Sequence, residues 1–279
     1  MRNKILALCI TAVFLPALAN AAVTDKVIEK QRSELAANSQ GKGFGPQSPR
    51  DIDTLQGTNK RLFSLAPAST KMNLCNIHIH KNAEHKGGEF TQYAGNGDGH
   101  GYQSGYEYSG KLTPQELSPF QHKVGTSKHD SLSSGDTIEA HYVYSTAQVE
   151  PGATLGACLS DANNNPQLRV ETQVYVLVND TKAMNFVELT KLGMINGFHQ
   201  AVNIPNNTGT PIQYAGSTTG PSYNEVSSPF QVSWSVRPQV MKVDISSVDV
   251  WLKDNDFDED HAHGVRNLVI NPALLSNNQ

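Results

Sequence analysis

The sequence is poor in cysteine, in basic charge and in long apolar runs. It has three cysteines in 279 residues, and its 22 lysines and arginines are fewer than its 26 aspartates and glutamates. A mildly acidic chain without a basic cluster argues against nucleic-acid binding. Beyond the N-terminus no stretch approaches the roughly 20 apolar residues that a membrane-spanning helix needs. We therefore expect no membrane segment in the mature chain.

The N-terminus has the pattern of an export signal. Basic residues (Arg2 and Lys4) precede an apolar run from Ile5 to Leu18, and a small-x-small site follows at Ala19-Asn20-Ala21. This order predicts a signal peptide over residues 1–21 and a secreted or periplasmic mature protein, with a retained anchor as the alternative. Cleavage would change the formal net charge from -4 to -6, because it removes two basic residues and no acidic one.

Cleavage would also remove Cys9 and leave two cysteines, Cys75 and Cys158. An even pair in an exported chain favours one disulfide, because oxidising compartments retain such bonds. Two free buried thiols are the alternative.

The amino-acid composition of the chain changes near residue 46. Residues 22–45 are polar with one helical run, Thr24 to Leu35, which predicts an N-terminal arm. After them come short β-branched or aromatic segments bounded by turn residues, which predict strands. These are residues 76–80, 138–144, 169–178, 230–236 and 248–252. The continuous apolar run at 174–178 predicts a central strand, and residues 87–135 predict a long insertion of loops over the rim of a sheet.

Two pairs of residues that contain histidine indicate a metal site. His78 and His80 alternate on one predicted strand, so both rings lie on the same face. Glu139 and His141 share a face of another strand, and a carboxylate near a metal histidine fixes its tautomer and orientation. Glu84 follows the first pair closely, and a block rich in hydroxyl groups comes later at Tyr214 to Pro221.

Taken in order, these motifs resemble the carbonic anhydrases. Gln47-Ser48-Pro49, His78-x-His80-x-x-x-Glu84-His85, Glu139-x-His141 and Tyr214-x-Gly216-Ser217-x-Thr219-x-Pro221 are similar to the α-class pattern. The string from Asn73 to His80, with the long insertion after it, resembles the δ class more closely. The resemblance implies a mainly β domain over residues 46–279, with few short helices around a large, mostly antiparallel twisted sheet.

The resemblance also implies a function, the zinc-dependent, reversible hydration of carbon dioxide to bicarbonate and a proton by a hydroxide on the metal. Its site residues would be the zinc ligands His78, His80 and His141, the catalytic pair Thr219 and Glu84, Glu139 behind His141, and the pocket residues Val143 and Trp234. His85 would be a core histidine. The stretch between Pro49 and His78 is shorter than its α-class equivalent, which implies that the strand with the α-class proton-shuttle histidine is missing, so His100, His122 and His129 in the insertion become the candidates for that role.

Two other functions fit parts of the pattern. A cupin-type metalloprotein would use His78, His80 and Glu84 as ligands, but Met72 stands where its motif has glycine. A carbonic-anhydrase-like protein without activity would act only in binding. Two further features stay open: the acidic stretch 254–260 fits calcium or a solvated turn, and His261 with His263 forms a second metal pair that lacks a third ligand.

Overall fold

The computed structural model describes residues 22–279, so the predicted signal peptide over residues 1–21 lies outside the described residues. The helices are α1 (Asp25–Ser39), α2 (Phe186–Leu189) and α3 (Ile245–Trp251). The strands are β1 (Asn73–Lys81), β2 (Gln92–Asn96), β3 (Ser104–Glu107), β4 (Thr137–Ser145), β5 (Leu168–Val178), β6 (Leu192–Ile195), β7 (Phe198–Ala201), β8 (Ile212–Ser217) and β9 (Gln231–Asp244). Short 3-10 helices cover Ser69–Lys71, Leu155–Cys158, Pro221–Tyr223 and Pro272–Leu274.

The main sheet has five strands in the order β1-β4-β5-β9-β8. Its pairings are antiparallel except for β5 with β9, which is parallel. The prediction of a mainly β fold with a mostly antiparallel sheet is confirmed. The apolar run at 174–178 lies in β5, the middle strand, as its buried pattern predicted.

Period-two alternation gives this sheet two faces of different character. Ile77 and Ile79 of β1 join Ala140 and Tyr142 of β4 in a core that α2 and α3 cover. We call this the helix-covered face. The alternate residues of the same strands, among them His78, point to the other side, which we call the site face. A second apolar cluster fills the site face under the polar residues, with Val143, Val174, Trp234 and Val236 as members.

The segment 248–252 was predicted as a strand, and this prediction is wrong. It belongs to α3, where the Asp244 side chain accepts a hydrogen bond from the Ser246 backbone N–H at 3.1 Å and caps the helix. Ile245, Val248 and Trp251 are three residues apart, so one helical stripe buries them in the core of the helix-covered face. The β-branched composition of this segment suggested a strand. The Asp244 cap and the buried helical stripe instead stabilise a helix.

The N-terminal arm forms α1, which is four residues longer at its end than the predicted run. The Gln31 amide donates to the Gly99 carbonyl at 2.6 Å and accepts from Asn267 at 2.5 Å, so α1 packs on two distant segments. The predicted insertion 87–135 consists mostly of loops, with the hairpin of β2 and β3 inside it. Among the helices of the described part, none is long and apolar enough to cross a membrane.

Candidate metal centre

Two neighbouring strands bring three histidines together on the site face. His78 of β1 lies directly opposite His141 of β4, and His80 lies opposite Glu139. Directly opposed and diagonal side chains on one face of an antiparallel pair are within contact distance. The ligand nitrogens of His78, His80 and His141 all lie within 4.8 Å of one another. Strand register alone therefore assembles the predicted triad.

Each of these rings has one nitrogen occupied by a hydrogen bond to a neighbouring oxygen. His78 Nδ1 lies 2.6 Å from Asn76 Oδ1, and His80 Nδ1 lies 2.8 Å from the Gly264 carbonyl oxygen. His141 Nε2 lies 2.7 Å from Glu139 Oε1. Since these oxygens accept, each ring donates there, and its other nitrogen keeps a free lone pair.

The free lone pairs face one another. His78 Nε2 and His141 Nδ1 are 3.2 Å apart, and two unprotonated nitrogens at that distance repel unless a cation lies between them. Among the described residues, the buried His80 Nε2 has no hydrogen-bond partner. Imidazole nitrogens at about 2.0–2.1 Å from a tetrahedral zinc stand about 3.3 Å apart. The three residues therefore fit a metal ion in donor type, tautomer and spacing.

The surroundings keep these rings neutral, as a metal ligand must be. Burial lowers the pKa of His78 well below its usual range, and the neighbouring His141 and His80 lower it further. Burial and the nearby His263 lower the pKa of His80 to about 4. Burial also lowers the pKa of His141, although its hydrogen bond to Glu139 opposes the shift. At neutral pH the three nitrogens carry lone pairs rather than protons.

Glu139 belongs to a longer buried chain of polar groups. Its Oε1 accepts from His141 and from His85 Nδ1 at 2.8 Å, and its Oε2 accepts from the His85 backbone N–H at 3.2 Å. The Tyr214 hydroxyl donates to His85 Nε2 at 2.7 Å. Burial alone would raise the pKa of Glu139, but His85 and His141 outweigh it and hold the pKa below its usual range. A charged carboxylate therefore stands behind His141, and His85 acts in the core network.

Glu84 lies under the site without joining the triad. Its Oε1 is 3.6 Å from His80 Nδ1, the nitrogen that faces away from the other rings, and 3.5 Å from the Arg266 backbone nitrogen. Its Oε2 is buried without a partner in the described residues. Burial raises the pKa of Glu84, while His141 and, to a smaller extent, the Thr219 hydroxyl lower it. Its Oε2 is 3.9 Å from His141 Nε2, so Glu84 approaches the triad at ring nitrogens that already donate to other oxygens.

A cavity of about 250 Å³ opens above the triad. Val143 and Trp234 lie in its apolar wall beside His141, with the Trp234 ring centroid 5.0 Å from that of His141. Thr219, His263 and Glu259 are among its polar lining residues. A hydrogen bond to Glu259 at 2.7 Å raises the pKa of His263. The cavity beside the three histidines is therefore lined by both apolar and polar residues.

The three histidines proposed for proton transfer do not line this cavity. His129 stacks on Tyr102 with ring centroids 3.6 Å apart, and His122 contacts Asp249 at 3.1 Å. His100 is exposed beside Gly101, a residue packed against the cavity-lining Pro221 so closely that an added Cβ would lie 2.6 Å from it. His129 is similarly placed, because its partner Tyr102 packs against the cavity-lining Gly264, where an added Cβ would lie 2.9 Å from the Tyr102 ring. Of the three, His100 is the one that is both exposed and one residue removed from the lining.

Three residues of the centre were missed in the sequence. They are Asn76 and Gly264 behind the rings, and Arg266, whose buried guanidinium donates to the Ser48 carbonyl at 2.6 Å. His263 was noted only as a metal pair with His261, and its place in the lining of this cavity was not predicted. Asn76 could have been found, because it precedes His78 by two residues and so shares its face. The others come from a segment near the C-terminus that meets β1 through the backbone pairing of His263 with His80. No local pattern signals that contact.

The chain was compared with known proteins. The family model described as delta carbonic anhydrase matches residues 69–247, more than half of the chain and the span that holds the three histidines. Among curated proteins, none matches.

Three solved structures are similar to the chain at low identity. A hyperthermostable carbonic anhydrase from an active hydrothermal vent chimney is 17% identical, over 81% of this chain and 86% of that one, with a TM-score of 0.28. The α-carbonic anhydrase of Thermovibrio ammonificans, in complex with the inhibitor sulfanilamide, is 14% identical over 80% and 84%, with a TM-score of 0.29. The α-carbonic anhydrase of Photobacterium profundum is 16% identical over 82% and 88%, with a TM-score of 0.28. The family assignment comes from the family model.

Proposed function

This chain belongs to the delta carbonic anhydrase family, and we propose that it catalyses the reversible hydration of carbon dioxide to bicarbonate and a proton. The observation that carries the proposal is the convergence of three neutral ring nitrogens from His78, His80 and His141, one of them buried without a partner. Three neutral ligands leave a divalent cation its full charge and one open position, the arrangement of catalytic zinc sites.

We propose zinc as the cation, since imidazole donors in a tetrahedral set suit it. Zinc bound in such a site makes a hydroxide nucleophile available near neutral pH, as is known for carbonic anhydrases. The chain's own residues fix where that chemistry happens. Asn76, Gly264 and Glu139 hold the three rings in the tautomers that present free nitrogens.

Thr219 and Glu84 are proposed to act on the proton of the nucleophile. The Thr219 hydroxyl would donate to Glu84 Oε2, the carboxylate oxygen that lacks a partner in the described residues. Its own oxygen then has only lone pairs to offer, so it accepts a hydrogen bond from a nucleophile that carries a proton. This would aim the nucleophile's lone pair into the cavity and disfavour ligands that carry no proton.

Carbon dioxide needs an apolar surface next to the metal, because it is small and offers little to hydrogen bonds. Val143 and Trp234 supply that surface, being only 1% and 2% exposed in the whole chain. We propose that they hold the substrate against the open metal position. No nucleic acid or membrane partner enters this proposal, in keeping with the acidic charge.

The proton released in each cycle must reach solvent. Of the proposed shuttle residues His100, His122 and His129, His100 is favoured because it is exposed and is next to Gly101, which packs on Pro221. Replacement of the true shuttle should slow turnover in weak buffer, and added imidazole should restore it. His122→Ala and His129→Ala are matched controls, and a slow His122→Ala enzyme that imidazole rescues would move the role to that residue.

We propose that the protein acts outside the cytoplasm, as the export pattern of residues 1–21 and the disulfide between Cys75 and Cys158 together favour. N-terminal sequencing of the mature protein from its own host would show cleavage after Ala21. An intact N-terminus would contradict the proposal.

The decisive test joins metal analysis to stopped-flow hydration of carbon dioxide. We expect about one zinc per chain, and activity that His141→Ala abolishes. Zinc without any hydration activity would favour a binding protein that has lost catalysis. Iron or manganese lost on Glu84→Ala, without hydration, would favour the cupin-type site.

A further inference from the structure

The loop over residues 150–158 connects the disulfide to the candidate metal centre. It follows β4 in the chain and ends with the 3-10 helix Leu155–Cys158. Cys158 is bonded to Cys75 of β1, three residues before His78. Thr154 and Leu155 of the loop line the cavity above the histidines. One short segment thus reaches both the covalent link and the mouth of the site.

Asn76 contacts the loop and the metal ligand with opposite ends of one amide. Its Oδ1 accepts from His78 Nδ1 at 2.6 Å, and its Nδ2 donates to the Gly152 carbonyl oxygen at 3.1 Å. The side chain is 1% exposed. Because an amide is planar and rigid, the position of Gly152 restricts the direction from which Asn76 approaches the His78 ring.

Gly152 is also bound to the backbone of Cys75, one of the two disulfide cysteines. The Gly152 N–H donates to the Cys75 carbonyl at 3.0 Å, next to the peptide that leads into Asn76. The pairing of β1 with β4 shifts register between Leu74 and Asn76, so Cys75 is the extra residue of a β-bulge. Such bulges occur beside active sites and re-aim side chains. The Ser145 hydroxyl donates to the Cys158 carbonyl at 2.7 Å and fixes the far end of the loop.

The loop itself is held in an uncommon shape. Thr154 has a φ of +59°, a region that β-branched residues rarely adopt. Its hydroxyl accepts from the Gly156 N–H at 3.1 Å and caps the 3-10 helix that carries Cys158. Residues in such conformations persist only where the surroundings determine them, and they cluster at functional sites.

We propose that the loop 150–158, held by the Cys75–Cys158 disulfide, is a positioning element for the metal ligand His78, and that Asn76 transmits its position. The inference rests on the proposed zinc site. Both cysteines are fully buried, so the link acts as a permanent clamp. Without it the loop loses its covalent tie to β1, Gly152 no longer restrains Asn76, and His78 loses its fixed ring orientation.

A double-mutant cycle on zinc affinity tests the transmission. The variants are Cys75→Ala with Cys158→Ala, Asn76→Ala, and all three changes together, each measured by competition with a chromophoric chelator. We expect Asn76→Ala to weaken zinc binding by about 10–100-fold, the usual cost of a lost partner behind a metal histidine. The cysteine variant should weaken it in the same direction, and the combined variant should be no weaker than Asn76→Ala alone. Effects that multiply would overturn the inference, since independent sites add in free energy.

A spectroscopic readout separates positioning from loss of stability. In the cobalt-substituted protein, the cysteine variant should shift the visible absorption of the metal at a temperature where it is fully folded. Leu189→Ala is the matched control, because it removes a buried side chain from the helix-covered face. An equal shift in this control would overturn the inference.

Asn76→Asp leaves both cysteines in place, should their replacement prevent folding. A carboxylate still accepts from His78 but cannot donate to the Gly152 carbonyl, so the visible absorption of the cobalt-substituted variant should shift from that of the wild type. An unchanged spectrum would overturn the inference. A wild-type protein that binds no zinc would instead overturn the proposed function, which keeps the two failures distinct.

Discussion

The two faces of the main sheet are built from alternate residues of the same strands, but they are stabilised in different ways. On the helix-covered face, the Ile77 and Ile79 side chains pack into an apolar core through non-directional contacts. On the site face, His78 and His80 alternate with them and donate directed hydrogen bonds to Asn76 Oδ1 and the Gly264 carbonyl. Burial stabilises the first face by itself. On the second face burial is costly unless each polar group finds a partner.

This difference shows where a metal belongs in the molecule. Buried polar atoms on the site face are satisfied by neighbours, with a few exceptions among the described residues. Two of these exceptions, His80 Nε2 and Glu84 Oε2, lie at the centre itself. Because most other buried polar groups are satisfied, these two open acceptors mark the place where a ligand supplies the missing contact. Substitutions confined to one face test whether the two faces act independently.

The largest effect is expected from His78→Ala. Removal of a ligand should weaken zinc binding by more than the roughly 10–100-fold that loss of a partner behind a ligand costs, and hydration should fall to the background rate. Isothermal titration with zinc and stopped-flow hydration measure the two effects. A variant that keeps its zinc would show that His78 is not a ligand.

The neighbouring change Ile77→Ala tests the other face. Deletion of this fully buried side chain should lower the free energy of unfolding by about 2–5 kcal/mol. The zinc affinity of the folded protein should stay the same. Urea unfolding and the same zinc titration make the comparison with His78→Ala direct, and a large loss of zinc affinity here would mean that the faces are not independent.

These contrasts also show how far the sequence leads. The alternation of His78 with Ile77 and Ile79 predicted the strand and the shared face of the histidines, because period two is a local property. α3 was missed because Ile245, Val248 and Trp251 needed the Asp244 cap to be recognised as helical. The contacts of Gly264 and His263 with β1 could not be predicted, because these residues lie about 180 positions away from β1 in the chain.

The metal-free protein should lose stability in mild acid because of the site face. The folded pKa of His80, about 4, lies below its unfolded value of 6.5. The unfolded state therefore binds more protons between these values, and stability falls as pH drops through that window. The loss should be about 3 kcal/mol at pH 4, at roughly 1.36 kcal/mol per unit.

Urea unfolding of the metal-free protein at pH 7 and pH 4 measures this loss. His80→Asn is the control, because asparagine does not titrate in this range, and its unfolding free energy should change less between the two pH values. A control with the same pH dependence as the wild type would assign the effect to other groups.

A smaller effect is expected from Glu139→Gln. Glutamine keeps the shape but removes the negative charge, and it places an NH2 donor where Oε2 accepts from the His85 backbone N–H. Zinc affinity should fall about 10–100-fold, and the protein should remain folded at pH 7. Circular dichroism and a chelator competition check both statements, and an unchanged affinity would remove Glu139 from the site.

Zinc-edge X-ray absorption of the purified protein tests the central claim most directly, since it reports the atoms around the metal. We expect a tetrahedral set of three imidazole nitrogens and one oxygen, each at about 2.0–2.1 Å from the zinc. A second oxygen from a protein carboxylate such as Glu84, or fewer than three imidazoles, would contradict it.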